Sequence, residues 1–236
     1  MNIILLRPPD WLDASTVELR DRRHAHIRDV LKPLVGSSLR IGQIDGDCGE
    51  GIVTAITTEA TRLTVSLSRS PPARHIFDIA LALPRPKMLR RVLRTAAEMG
   101  VENFHLIHSA RVEKSFWQSP LLHPGRLRQS LLTGLERSGN TLLPEVYFHK
   151  RFKPFVEDEL AGLTGASDLY IAHPGNHSTL QAPNGTTHWV AVGPEGGFIP
   201  YEVESLRAQG GLLRSLGQHI LSVDTAVPTI LGRALP

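Results

Sequence analysis

The sequence of 236 residues predicts an α/β fold in two domains. A small β-barrel covers residues 1–70, and a larger domain with a mostly parallel sheet covers residues 73–236. Three observations lead there. Residues 1–70 hold short runs of alternating apolar and polar residues separated by Gly/Asp turns, the pattern of a compact barrel. Ser70-Pro71-Pro72 then interrupts the chain, because consecutive prolines cannot continue a strand ladder and they stiffen a junction. Beyond it, apolar strands alternate with helical stretches at the spacing of a parallel α/β unit.

In the first domain, Ser38–Ile44, Gly51–Ile56 and Arg62–Leu67 alternate as half-buried strands. Asp45-Gly46-Asp47 and Gly49 supply turn chemistry between them. Asp21–Lys32 reads as a short helix, with His26 and Val30 on one side and Arg28 and Lys32 on another.

In the second domain, Ile76–Leu83 is a buried strand, and a helix runs from Lys87 to Met99 with Gly100 as its C-cap. Met88, Val92, Ala96 and Met99, with Leu89 and Leu93 beside them, form its core stripe. Lys87, Arg90, Arg91 and Arg94 cluster opposite, as a solvent face or as an anion-facing surface. Phe104–Ile107 is the next strand. Arg111 and Lys114 follow it beside Phe116 and Trp117, a combination that either stacks a base and holds phosphate or anchors a half-buried loop. Pro124–Ser138 reads as a helix carrying Arg126, Arg128 and Arg137, and Pro144–Phe148 as an extended run. Asp168–Ala172 and Trp189–Val192 are short buried strands, with a polar loop over Asn176–Thr187. Pro200–Gln209 is a helix, Leu212–Leu216 a strand, and Asp224–Leu235 the last helix, with Pro228 in its first turns.

Apolar residues make up 41% and charged residues 21%, an ordinary globular mixture that predicts no membrane span. The start of the chain lacks the pattern of a signal peptide, and one cysteine, Cys48, excludes a disulfide framework, so a cytoplasmic location is expected. Charge is unevenly spread. Residues 1–72 hold 9 basic and 9 acidic residues, residues 73–154 hold 14 and 6 (net +8), and residues 155–236 hold 3 and 8 (net −5). A basic middle block suits a phosphate backbone, and it also suits solubility or pairing of subunits. The dinucleotide fingerprint, the phosphate loop of nucleotide triphosphatases, His-Glu-x-x-His and paired cysteines are all missing, so no metal is expected.

Three strand ends carry candidate binding loops: Ala172–Gly175, Val192–Gly197 and Leu216–Leu221. In open α/β sheets, ligands lie beyond the carboxyl ends of strands. Gly193-x-x-Gly196-Gly197 lets backbone amides approach a ligand with no side chain between. Leu216, Ile220 and Leu221 form an apolar slot suited to an adenine ring. On this chemistry alone the loops are equally readable as three tight turns.

Gly193-Pro194-Glu195-Gly196-Gly197-Phe198 and Leu216-Gly217-x-x-Ile220-Leu221-x-x-Asp224-Thr225-Ala226 resemble the two signatures of a family of knotted RNA methyltransferases. This is the family of the SPOUT superfamily that methylates N3 of a uridine in 16S ribosomal RNA. His26-x-x-x-Val30-Leu31-Lys32, Glu98-Met99-Gly100-Val101, Ser109-Ala110-Arg111 and Leu135–Gly139 with Leu143-Pro144-Glu145 resemble its other motifs, in order. The resemblance implies a PUA-like, RNA-binding barrel and a trefoil-knotted C-terminal domain. It implies a homodimer that acts on 16S ribosomal RNA or the small ribosomal subunit. S-adenosylmethionine would bind at Ala172, His173, Gly193, Pro194, Gly196, Gly197, Leu216, Gly217, Ile220, Leu221, Thr225 and Ala226. Glu195, Asp224 and His219 are the candidates for catalysis. His26, Lys32, Lys87, Arg90, Arg91, Arg94, Arg111, Lys114 and Arg137 are the candidates for RNA contact.

The chain departs from the family pattern at four positions. His219, Ser222 and Asn140 stand where arginine is usual, and Asp224 where glutamate is. The lost guanidinium groups remove fixed bidentate donors, while a cofactor site that leans on backbone is expected to survive. Methylation of another RNA position, or non-catalytic RNA binding, is the alternative function.

Overall fold

The computed structural model describes residues 1–181 and 187–235. The chain divides into two compact units, Met1–Ala73 with Leu135–Leu143, and Arg74–Gly134 with Pro144–Pro236. The expected break near Ser70-Pro71-Pro72 is close to this division. That residues 135–143 belong with the first unit was not expected, because nothing in a local sequence pattern reports a return of the chain.

The first unit is built on a half-barrel sheet of five strands: β1 (Ile4–Leu6), β2 (Thr16–Leu19), β3 (Ser38–Gln43), β4 (Cys48–Ile56) and β5 (Thr61–Arg69). Their order is β1-β3-β4-β5-β2, with β1 and β3 parallel and the other pairs antiparallel. Alternation decides the core. Leu6, Leu19, Ile41, Val53 and Leu63 point inward with Ile27 and form one buried cluster, each fully buried side chain contributing about 1.5–3 kcal/mol. β1 and β2 were missed by sequence reading, being only 3 and 4 residues long. Gly49 is not a turn residue. It lies in β4, where an added Cβ would meet the Ser66 carbonyl oxygen at 1.9 Å, so two backbones pass where only glycine fits.

The expected helix over 21–32 is α1 (Arg22–His26) continued by one wide turn, Ile27–Leu31, and closed by Lys32 in the left-handed conformation at φ 47°. Arg23, 3% exposed, donates two hydrogen bonds of 2.6 Å to Asp10 and one of 2.6 Å to the Leu5 carbonyl. Its guanidinium is thereby satisfied, as a buried charge must be.

The second unit holds β6 (Phe77–Ala82), α2 (Pro86–Glu98), β7 (Asn103–Ile107), α3 (Pro124–Ser138, whose last turn belongs to the first unit) and β8 (Glu145–His149). Next come α4 (Phe152–Pro154), a wide turn Phe155–Glu159, α5 (Leu160–Thr164), β9 (Leu169–Ala172), β10 (His188–Val192), α6 (Pro200–Ala208), β11 (Leu212–Arg214) and α7 (Val223–Gly232). The sheet order is β11-β9-β10-β6-β7-β8, parallel throughout. A parallel sheet covered on both faces needs continuous apolar strands, and all six residues of β6 and all five of β10 are buried.

On α2 the buried residues are Leu89, Val92, Leu93, Ala96 and Ala97. Met88 and Met99, expected in the core stripe, are half-buried at its border. Gly100, at φ 79°, follows as expected. The helical stretch over 152–164 was missed, its pattern being broken by Pro154. Pro228 lies inside α7, in the second turn, where its missing N–H leaves one carbonyl without a helical partner. Part of the polar loop expected over Asn176–Thr187 lies outside the described residues. None of the described helices is long and apolar enough to cross a membrane.

Candidate active site

The strand order brings together the three loops singled out in the sequence. β11, β9 and β10 are parallel neighbours, so the ends at Arg214, Ala172 and Val192 lie along one edge. The loops beyond them enclose a cavity of ≈ 270 Å³, walled by Ala172–Pro174, Val192–Phe198, Leu216, Gly217, His219, Ile220, Leu221, Val223 and Ala226. Of the twelve residues expected around a cofactor, eleven line this cavity; Thr225 does not. The Thr225 hydroxyl instead lies 3.1 Å from Ser222 Oγ at the start of α7.

The glycine turn is shaped by its own backbone. Gly197 has φ +72° and its N–H donates to the Pro194 carbonyl at 2.7 Å. A Cβ on Gly193 would stand 3.0 Å from the Phe198 nitrogen. The bare backbone therefore forms the wall, and its polar groups are the ones available to a ligand.

Four polar residues hold the loops, and sequence reading did not assign three of them. Arg111 donates to the Gly196 carbonyl, so a residue expected to contact RNA also braces the glycine turn. Glu202, 2% exposed, accepts from the Ala110 N–H at 2.7 Å and the Ile199 N–H at 3.0 Å. It thus ties the loop after β7 to the start of α6. Arg233 donates to the Leu216 carbonyl at 2.8 Å and the Leu180 carbonyl at 3.1 Å. Ser215 Oγ receives the Gly217 N–H at 3.1 Å. Glu202 could have been found as a carboxylate in the first turn of a helix, where the positive end favours it; no local signal marks Arg233.

The three candidate catalytic groups differ in placement. Glu195 and His219 line the cavity, and neither has a hydrogen-bond partner among the described residues. Asp224 does not line it. Its carboxylate accepts from Ser222 Oγ at 2.6 Å and pairs with Arg91 at 3.4 Å. The Ser222 hydrogen bond first, and Arg91 after it, hold this carboxyl below its ordinary range. His173 turns Nδ1 onto the Pro174 carbonyl at 2.6 Å.

The candidate RNA contacts fall in both units. In the second, Lys87, Arg90, Arg91, Arg111 and Lys114 are exposed and Arg94 is half-buried. In the first, Lys32 and Arg137 are exposed, while His26 is half-buried with a buried Nε2. Burial chiefly lowers the His26 pKa. Asn140 is 4% exposed and caps a turn by accepting from the Leu142 N–H at 3.0 Å. No group of three or more His, Cys, Asp or Glu side chains among the described residues is placed to hold a metal.

The family described as RNA methyltransferase domain matches residues 71–235. A ribosomal RNA small subunit methyltransferase E from Treponema pallidum is 28% identical over 96% of this chain and 87% of its own length. One from Synechocystis is 26% identical over 96% of this chain and 74% of its own. Among solved structures, the Neisseria gonorrhoeae ribosomal RNA small subunit methyltransferase E bound to S-adenosyl methionine superposes with a TM-score of 0.78. It is 17% identical, covering 98% of this chain and 95% of the other. A Legionella pneumophila protein in complex with SAM has a TM-score of 0.72 at 21% identity, covering 98% and 95%.

Proposed function

This chain belongs to the RNA methyltransferase family that spans its residues 71–235, and on that premise we propose that it methylates N3 of a uridine in 16S ribosomal RNA. The supporting observation is the cavity beyond β9, β10 and β11, whose walls are the two signature segments. The relatives named as small subunit methyltransferases support the substrate class, and the two solved structures with SAM support the cofactor.

The residues present fit S-adenosylmethionine. A glycine cradle that a Cβ on Gly193 would disturb offers N–H and C=O groups to an adenine, a ribose and an amino acid. Leu216, Ile220 and Leu221 supply the apolar slot. When bound, the cofactor supplies an electrophilic methyl on a sulfonium sulfur. Transfer of that methyl to N3 would require the N3 proton to leave, because neutral N3 has no free in-plane lone pair. A base and a stabiliser for the developing anion are therefore needed. His219 and Glu195 are the candidates for the base, since they line the cavity with no hydrogen-bond partner among the described residues. Asp224 is the weaker candidate, because a carboxylate already engaged by Ser222 and Arg91 is a poor proton acceptor. Arg111, Arg91, Arg94 and Arg137 are assigned to RNA phosphates.

The active form is read as a homodimer of knotted, cytoplasmic subunits whose PUA-like first domain holds the RNA. The complementary charge of residues 73–154 and 155–236 supports pairing; a monomer by light scattering at micromolar concentration would refute it. The main test is nucleoside mass spectrometry of ribosomal RNA from a deletion strain. Loss of N3-methyluridine supports the proposal, loss of another mark reassigns the target, and no change marks a non-catalytic RNA binder.

A further inference from the structure

We infer that the first unit carries a phosphodiester-binding groove centred on Arg40 and Arg69. The inference rests on the reading that the protein acts on RNA, and adds a site that the charge count argued against. The unit is neutral, with nine basic and nine acidic residues in Met1–Ala73 and one of each in Leu135–Leu143. Most of its guanidinium groups are already engaged. Arg7, Arg20, Arg22, Arg23, Arg28 and Arg62 each pair with a carboxylate. Arg40 and Arg69 are exposed and have no partner among the described residues. These two line the same pair of adjoining depressions.

One depression, of ≈ 310 Å³, is completed by Ser70, Pro71, Pro72, Ser138 and Gly139. The junction and the returning 135–143 segment thus make its wall. Arg40 is on β3 and Arg69 ends β5, with β4 between them. Arg40 is opposite Glu50 and Arg69 opposite Cys48, so two strand spacings and a two-residue offset along β4 set their backbones about 12 Å apart, within side-chain reach of neighbouring phosphates of one strand. Ser70 adds a hydroxyl group and Pro71-Pro72 a rigid apolar side for a sugar, while the Ser138 hydroxyl is held by the Leu135 carbonyl and the Asn140 N–H. One carboxylate opposes the assignment: Glu50 lies opposite Arg40 across the β3–β4 pair and lines the second depression. It accepts from Ser38 Oγ at 3.1 Å and from no cation among the described residues, so it weakens the local positive potential without cancelling it.

The test measures binding of a fluorescein-labelled 16S ribosomal RNA fragment by anisotropy across a salt series. Calorimetric titration with S-adenosylmethionine and a melting curve accompany every variant. The Arg40→Gln/Arg69→Gln double variant is expected to reduce the log–log salt slope by about 1.4–1.8, the contribution of two phosphates, with cofactor binding and melting unchanged. Arg40→Lys/Arg69→Lys should keep the wild-type slope. Arg62→Gln, whose partner is Glu18, should leave it unchanged, and Glu50→Gln should tighten binding. A wild-type slope in the glutamine pair, with RNA and cofactor still bound, overturns the groove and leaves the methyltransferase reading intact. Loss of polyglutamate binding in that pair with RNA binding unaltered also overturns it, in favour of an acidic protein partner. Absence of both cofactor and RNA binding in the wild type sinks the functional reading and the groove with it.

Discussion

Replacing Glu202 by alanine removes the one carboxylate that links the loop after β7 to the start of α6. The structure sets the size of the effect. Glu202 is 2% exposed and accepts two backbone N–H groups, from Ala110 at 2.7 Å and from Ile199 at 3.0 Å. A hydrogen bond to a charged group contributes about 1.5–3 kcal/mol, and an N–H left unmade in a buried place costs a comparable amount. Glu202→Ala should therefore destabilise the protein by about 3–6 kcal/mol, much of the 5–15 kcal/mol available to a typical domain. Glu202→Gln keeps one accepting oxygen but turns an NH₂ toward the other N–H, and about half that loss is expected. Ala110 precedes Arg111, which holds the Gly196 carbonyl, so loosening this tie should also weaken cofactor binding. Urea denaturation gives the stability, and calorimetric titration with S-adenosylmethionine gives the affinity. If Glu202→Ala unfolds within 1 kcal/mol of wild type and binds the cofactor as tightly, the carboxylate does not position the site.

Gly197→Val should lower cofactor affinity by about five- to thirtyfold, because φ +72° is strained for a β-branched residue and the left-handed conformation costs about 1–2 kcal/mol; wild-type titration heats would refute this. His105, 2% exposed on β7, has its pKa lowered to about 3 by burial and then by His149, whose Nε2 is 2.9 Å from its Nδ1. The unfolded chain therefore takes up a proton near the ordinary value of 6.5 that the folded chain refuses, so stability is lost as pH falls from 6.5 toward 3. The slope is about 1.4 kcal/mol per pH unit. His105→Phe should flatten the urea-midpoint profile between pH 4 and 6, and an unchanged slope would discard the argument. Arg91→Ala should change stability by less than about 1 kcal/mol, because its pair with Asp224 is exposed and exposed pairs contribute little, yet weaken binding of the RNA fragment; equal RNA affinity would remove Arg91 from the interface.

Much of the candidate site was legible in the sequence because it is made of contiguous backbone. A buried strand running into Gly193–Gly197 needs only local geometry to form its turn, and Leu216–Leu221 does the same after β11. The elements were read best where periodicity is long. α2 and α3 are within a residue or so of their expected limits, whereas the short strands β1 and β2 have too few residues to set a pattern.

The apolar pattern and the glycine turn were thus determined by the sequence alone, since each depends on residues close along the chain. Only the tertiary structure decided which distant groups meet. It set β11 beside β9 and β9 beside β10, so that three separate loops close one cavity. It placed Arg233 on the Leu216 carbonyl, drew Asp224 onto Ser222 and Arg91, and left Arg40 and Arg69 without a partner among the described residues, in a unit of zero net charge. Charge counted along a chain says how many cations are present, but pairing through space decides which of them remain available to a ligand. That pairing is set by strand order and register, which act between residues far apart in sequence.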